Sequence, residues 1–215
     1  MRLFLSSFRF GNHPQHLVRL ANSNKRAAVI ANACDEMPEN DRQIRVRQEI
    51  GLLQELGFFP GEIDLRSYFN NPHRQQHLIK LLSTVGLIWV RGGNSFVLRR
   101  AMKASGFDVM ITGLVQQDAV VYGGYSAGAC VTGPTLAGIE MVDDPHTVPE
   151  GYDATVIWEG LNLVPYVIVP HYRSILPESA KVERLLQHYV DRNISFKPLR
   201  DEEAVVVNGD QSFCA

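Results

Sequence analysis

The chain is organised around the stretch Val120-Val121-Tyr122-Gly123-Gly124-Tyr125-Ser126-Ala127-Gly128-Ala129-Cys130. Its first residues are β-branched and apolar and predict a strand, and the small residues after Ser126 predict the start of a helix. Residues 124–128 fit Gly-x-Ser-x-Gly, the nucleophile elbow, in which a strained strand-to-helix turn lifts a serine hydroxyl above the edge of a sheet. Side chains at these glycines would clash with the neighbouring strand and helix. The stretch therefore predicts that Ser126 is a nucleophile, with a plain glycine-rich turn as the alternative.

Apolar runs of strand length alternate with helix-like segments on both sides of this stretch. The alternation predicts a mainly parallel sheet with helices on both faces. No linker divides the 215 residues, so a single domain over residues 1–215 is expected. Asn208-Gly209 predicts a hairpin after the last strand. Strands are predicted at 3–8, 26–32, 62–65, 86–90, 119–122, 154–158, 166–169 and 204–207, and helices at 13–21, 41–56, 72–82, 97–104, 108–117 and 178–189.

The charge, the apolar runs and the cysteine count argue against several kinds of protein for this sequence, namely nucleic-acid-binding, membrane-bound and disulfide-rich proteins. The net charge of −2 gives no excess of positive charge, so neither a nucleic acid nor an anionic membrane is an expected partner. The first residues resemble a buried strand more than a signal peptide, and no apolar run approaches the ~20 residues that span a bilayer. Cys34, Cys130 and Cys214 are an odd number without Cys-x-x-Cys spacing, which suggests neither a disulfide framework nor a zinc site. A cytoplasmic protein without metal or organic cofactor, monomeric or homodimeric, is the expectation.

A serine nucleophile needs a base, and one histidine is well placed to supply it. His171 directly follows an apolar strand, as a base carried to the carboxyl edge of a sheet should, although a histidine that caps the strand is the alternative. The other histidines lie on polar helix faces, at helix ends or in a loose acidic loop. These are His13, His16, His73, His77, His146 and His188.

The acid that would orient this base is left open by the residues alone. One group of carboxylates comes just before the last strand, and the other lies between Ser126 and His171. The chain order of the α/β-hydrolases favours the second group, but geometry defines a triad and order does not. The first group is Asp201, Glu202 and Glu203, and the second is Glu140, Asp143, Asp144, Glu150 and Glu159.

Four motifs in order resemble the S51 peptidase family, which includes the α-aspartyl dipeptidases and, more distantly, cyanophycinase. They are Leu3-Phe4-Leu5-Ser6-Ser7, Gly92-Gly93-Asn94-Ser95-Phe96, the elbow with Gly133-Pro134-Thr135 downstream, and Pro170-His171-Tyr172. The resemblance covers nearly the whole chain. It implies an α/β fold of the class I glutamine-amidotransferase type, a three-layer sandwich with serine where the amidotransferases use cysteine.

The resemblance also implies roles for individual residues. Ser126 matches the nucleophile and His171 the general base. The backbone N–H groups of Gly93 and Ala127 match the oxyanion hole, which meets the negative charge that develops on the carbonyl oxygen. These roles predict a serine peptidase that acts through an acyl-enzyme.

For the acid, the family places a Glu or Asp after the histidine and before a strand, with a small or apolar residue three positions on. Asp201 with Ala204 fits that spacing. Glu202 is an alternative, and Glu140 is a second one because it falls near an acidic position that the dipeptidases share.

The expected substrate is a small peptide, with a preference for an amino-terminal aspartate. That preference calls for a cation opposite the side-chain carboxylate, and Arg173 is the local candidate because a guanidinium binds a carboxylate through two parallel hydrogen bonds. Asn94 is assigned to substrate binding with it. The rival interpretations are another amide or ester hydrolase on this fold, a non-catalytic binding protein, and a cysteine amidotransferase that uses Cys130.

Overall fold

The structure is a computed structural model that describes residues 1–175 and 179–215, apart from the side chain of Ser179. These residues form nine strands. In chain order they are β1 (Arg2–Ser6), β2 (Arg26–Ile30), β3 (Phe59–Glu62), β4 (Leu87–Val90), β5 (Val121–Tyr125), β6 (Val167–Val169), β7 (Phe196–Pro198), β8 (Ala204–Asn208) and β9 (Gln211–Cys214).

Seven α-helices connect the strands in the described part of the chain. None of them combines the length and the apolar character that a membrane crossing requires. They are α1 (Pro14–Leu20), α2 (Glu39–Glu55), α3 (Pro72–Leu82), α4 (Ser95–Ser105), α5 (Phe107–Gln116), α6 (Ala127–Cys130) and α7 (Ser179–Asp191).

The main sheet has seven strands in the order β3-β2-β4-β5-β1-β8-β9. The pairs from β3 to β1 are parallel, and β8 and β9 are antiparallel to their neighbours. The prediction of a mainly parallel sheet is therefore confirmed. A parallel pair of β6 and β7 forms a second small sheet. The predicted hairpin joins β8 to β9, but its turn falls at Gly209-Asp210, one position later, because Asn208 still pairs with Gln211.

Each central strand contributes to two hydrophobic cores, because successive side chains point to opposite faces. In β1, Leu3 and Leu5 lie in the core that also holds Leu98 of α4. Phe4 lies in the other core, which also holds Leu53 of α2. Helices therefore cover both faces, and the protein is a three-layer α/β sandwich, as predicted. Parallel strands that end at one edge bring the residues that follow β1, β4 and β5 together there.

Two strand predictions need correction, and one helix prediction extends outside the described residues. The predicted strand 154–158 is wrong, because this segment is irregular and its carbonyl groups at Ala154 and Thr155 accept hydrogen bonds from the buried guanidinium of Arg100. The strand predicted at 62–65 lies earlier in the chain, as β3, and Leu65 instead begins a 3₁₀ turn. The helix predicted at 178–189 corresponds to α7, and its first residue, 178, lies outside the described residues.

Candidate active site

Ser126 occupies a strained turn between β5 and α6. Its φ of 50° and ψ of −119° lie in a region that residues with a side chain rarely adopt. Its N–H donates to the carbonyl oxygens of Ser6 and Ser7 at the end of β1, at 3.2 and 3.1 Å. A Cβ on Gly128 would come within 2.3 Å of the Val90 carbonyl oxygen, so glycine is required where α6 crosses β4. The elbow geometry expected from the sequence is present.

His171 follows β6 and faces the elbow. Its Nε2 lies 3.2 Å from the Oγ of Ser126, 45 residues earlier in the chain. Its backbone has a φ of 61°, and its N–H donates to the Oγ of Ser7 at 2.8 Å. The backbone hydrogen bond from His171 to Ser7 therefore fixes the short loop after β6 against the end of β1. In this position the imidazole of His171 faces the hydroxyl of Ser126.

Asp201 is the acid in contact with the imidazole. Its Oδ1 lies 2.7 Å from the Nδ1 of His171 and accepts a hydrogen bond from Ser7 at 3.1 Å. Its Oδ2 accepts a hydrogen bond from Ser174. Burial alone would raise the pKa of Asp201, but the hydrogen bonds from Ser174, His171 and Ser7 stabilise the charged form and bring the pKa below its usual value. Asp201 is therefore an ionised acceptor for the Nδ1 proton at neutral pH.

The two alternative acids lie elsewhere. Glu140 accepts the N–H of Gly138 at 2.5 Å, in the connection that follows α6. Glu202 is exposed, and its backbone carbonyl accepts the N–H of Asn12 at 3.0 Å. Within residues 1–175 and 179–215, neither carboxylate bonds to His171. The geometry thus brings Asp201, and neither alternative, into line with Ser126 and His171.

The Gly92-Gly93 turn after β4 lies directly against the elbow. A Cβ at Gly92 would come within 2.8 Å of the Cβ of Ser126, and a Cβ at Gly93, where φ is 150°, would come within 2.3 Å of the Ala33 carbonyl oxygen. The backbone N–H groups of Gly93 and Ala127 have no acceptor among the described residues. Two unpaired donors therefore flank the serine on neighbouring turns.

The two residues assigned to substrate binding are placed differently. The side chain of Asn94 caps α4, because its oxygen accepts the N–H groups of Phe96 and Val97, and its amide donates to the Asp144 carbonyl oxygen at 3.0 Å. Arg173 is exposed two residues beyond His171, with its guanidinium 5.1 Å from the ring centre of Tyr172. The polar atoms of the Asn94 side chain are thus hydrogen-bonded within the protein, whereas the Arg173 side chain is exposed to solvent. Both assignments stay predictions.

A buried polar network around Glu49 fixes the end of strand β5, directly before the elbow. Glu49 of α2 accepts hydrogen bonds from the Tyr125 hydroxyl at 2.7 Å and from the Trp89 indole at 2.9 Å. The guanidinium of Arg91 lies 3.2 Å from the same carboxylate. A buried carboxylate that is paired and hydrogen-bonded fixes its neighbours in one arrangement. The residue before Ser126 is therefore held by a helix on the opposite face of the sheet.

Cys130, the cysteine that the rival amidotransferase interpretation would use, is held inside the fold. Cys130 is buried one helical turn after Ser126, and burial raises the pKa of its thiol well above the usual value. A thiol with a raised pKa is a poor nucleophile at neutral pH. No group of three or more His, Cys, Asp or Glu side chains in residues 1–175 and 179–215 is arranged to hold a metal ion.

Sequence reasoning missed two serines of the site. Ser7 bonds to both His171 and Asp201, and Ser174 bonds to Asp201. Ser7 carried a usable signal, because it follows the strand β1 beside β5 and so lies at the carboxyl edge of the sheet. For Ser174, the sequence offered no signal except that it lies three residues after His171.

A serine, a histidine and an aspartate in one hydrogen-bonded series, with the serine on a sharp strand-to-helix turn, form the arrangement of serine hydrolases. The model of peptidase family S51 matches residues 9–214. The chain belongs to peptidase family S51, as its motifs suggested, and it is a serine-type peptidase.

Relatives and solved structures agree with this family. The uncharacterised peptidase Lin0382 of Listeria innocua is 30% identical over 161 residues, 74% of this chain and 70% of that protein. Peptidase E of Escherichia coli O1:K1 / APEC is 35% identical over 105 residues, 49% of this chain and 42% of that protein. A Listeria monocytogenes EGD-e crystal structure, provisionally described as a peptidase E, superposes with a TM-score of 0.76 at 24% identity, over 100% of this chain and 97% of that chain. The structural likeness shows a shared fold.

Proposed function

We propose that this peptidase hydrolyses small peptides through an acyl-enzyme on Ser126. The observation that carries the proposal is the continuous series from Ser126 Oγ through His171 to Asp201, with spacings of 3.2 and 2.7 Å. With the Nδ1 proton donated to Asp201, Nε2 accepts the serine proton as Oγ attacks the substrate carbonyl carbon. His171 then returns the proton to the leaving amine, and water releases the acyl group by the same steps.

The N–H groups of Gly93 and Ala127 are proposed as the oxyanion hole. Both donors lack partners among the described residues and belong to turns that contact Ser126. Donors fixed in advance stabilise the charge that develops on the carbonyl oxygen, and each is worth about 10²–10³ in rate. The Gly92-Gly93 turn places the first donor in advance and the elbow places the second, which supports this role.

The proposed substrates are dipeptides and other short peptides, with amino-terminal aspartate preferred. Arg173 supports the preference, because it is an exposed cation two residues from the proposed base. The family relationship supports short substrates. A cytoplasmic location is part of the same proposal and is supported by three cysteines that are all free.

A substrate panel tests the proposal. It contains the p-nitroanilides of Asp, Ala and Leu, the matching X-Ala dipeptides, p-nitrophenyl acetate and denatured casein. We expect hydrolysis of the dipeptides and anilides, fastest for Asp, and no cleavage of casein. An ester cleaved much faster than every peptide would favour an esterase on this fold, and no turnover at all would favour a binding protein.

A further inference from the structure

A small cavity opens beside the proposed nucleophile. Ser126 and His171 line one side of it, and apolar side chains such as Val169 and Leu185 line much of the rest. Its volume of about 30 Å³ corresponds to room for about two water molecules. The cavity therefore has room for a small group of the substrate.

Two polar side chains, Asp143 and Ser95, also line this apolar cavity. Asp143 Oδ2 accepts the backbone N–H of Ser95 at 2.9 Å. The Ser95 hydroxyl is wholly buried and lies beside Asp143 and Cys130 without a well-aligned hydrogen bond to either. Asp143 has no ion-pair partner in the described part of the chain. Burial raises the pKa of Asp143, and the backbone N–H of Ser95, its nearby hydroxyl and the more distant charges of His171 and Lys181 offset this only in part.

Asp143 is partly buried, and a carboxylate that is shielded from water without a counter-ion is unfavourable, so a small cation in the cavity would stabilise its charged form. In a peptide, the α-nitrogen of the first residue lies about 2.5 Å from the carbonyl carbon of the same residue. When that carbon is held against the Oγ of Ser126, the α-nitrogen is within reach of the cavity that Ser126 and Asp143 both line. An ammonium group is close to a water molecule in size, and its charge is opposite to that of Asp143.

We propose that Asp143 binds the α-ammonium group of the substrate's first residue and thereby selects substrates that have a free amino terminus. The inference rests on the proposed function of Ser126. An amino-terminal aspartate satisfies both sites, because its ammonium group enters this cavity and its side-chain carboxylate is left for Arg173, the exposed cation of the proposed function. Asp143 would then act as a specificity-determining residue and take no part in proton transfer.

The test compares Asp143→Asn with Asp144→Asn as a matched control. Asp144 is the adjacent carboxylate, but it is exposed and does not line the cavity. Both variants keep an oxygen that can accept the local backbone N–H. Each enzyme is assayed with the fastest amino-acyl p-nitroanilide of the panel and with its des-amino analogue, for which succinic acid mono-p-nitroanilide is the partner of the aspartyl compound.

We expect the wild type and Asp144→Asn to prefer the free amine by about 10²-fold or more in kcat/KM, because removal of one partner of a buried charge pair has an effect of that size. In Asp143→Asn the preference should fall to a few-fold, through loss on the amine substrate alone. An equal loss on both substrates, or an unchanged preference, would overturn the inference. Wild-type enzyme that cleaves neither substrate and does not react with a fluorophosphonate would overturn the proposed function and the inference together.

Discussion

Replacement of Ser126 by alanine is expected to lower kcat for the best peptide substrate by roughly 10⁴–10⁶-fold, because no alkoxide can then form beside His171. The residual rate would come from the two N–H donors at Gly93 and Ala127. The measurement is steady-state turnover of the best p-nitroanilide, with circular dichroism and the urea unfolding midpoint as controls for the fold. Turnover within about tenfold of the wild type would contradict the nucleophile assignment.

Asp201→Asn is expected to lower kcat by about 10⁴-fold with little change in KM. An amide at this position can donate to Nδ1 and so favour the wrong tautomer of His171, as in other triads. Asp201 touches the imidazole at 2.7 Å, whereas Glu202 and Glu140 bond elsewhere. The measurement is kcat at neutral pH for each variant.

Glu202→Gln and Glu140→Gln are the matched controls for Asp201→Asn. Each removes one of the alternative carboxylates and keeps an oxygen acceptor, so we expect rates within about threefold of the wild type. A loss of activity in either control as large as that in Asp201→Asn would show that the hydrogen bond to Nδ1 does not identify the functional acid.

The sequence allowed prediction of the parts of the fold that depend on local patterning. Alternating apolar strands and amphipathic helices predicted the sandwich, and the glycines around Ser126 predicted the elbow, because both signals lie within a few residues of the feature they specify. Segment 154–158 shows the limit of such patterns. Its β-branched residues favour a strand, but its carbonyl groups at Ala154 and Thr155 are bound by the Arg100 side chain, a contact 54 and 55 residues away in sequence.

In the candidate site, too, some residues could be identified from local sequence signals and others could not. His171 could be proposed as the base because it follows an apolar strand, a local signal. The acid could not be chosen by local reasoning, because Asp201 and Glu202 are adjacent and only the turn before β8 determines which of them faces the imidazole. Ser7 reaches His171 across 164 residues, and Asp143 lines the cavity through a loop without regular secondary structure. These contacts depend on tertiary packing. The catalytic roles remain predictions.

Covalent labelling tests the central claim most directly. The wild-type enzyme, Ser126→Ala and a known serine hydrolase are incubated with a fluorophosphonate, digested, and mapped by mass spectrometry. We predict one adduct on the wild-type enzyme, on the hydroxyl of Ser126, and none on Ser126→Ala, because only a serine activated by His171 reacts at a measurable rate. An adduct at another residue, or an unlabelled wild type beside a labelled reference hydrolase, would contradict the account.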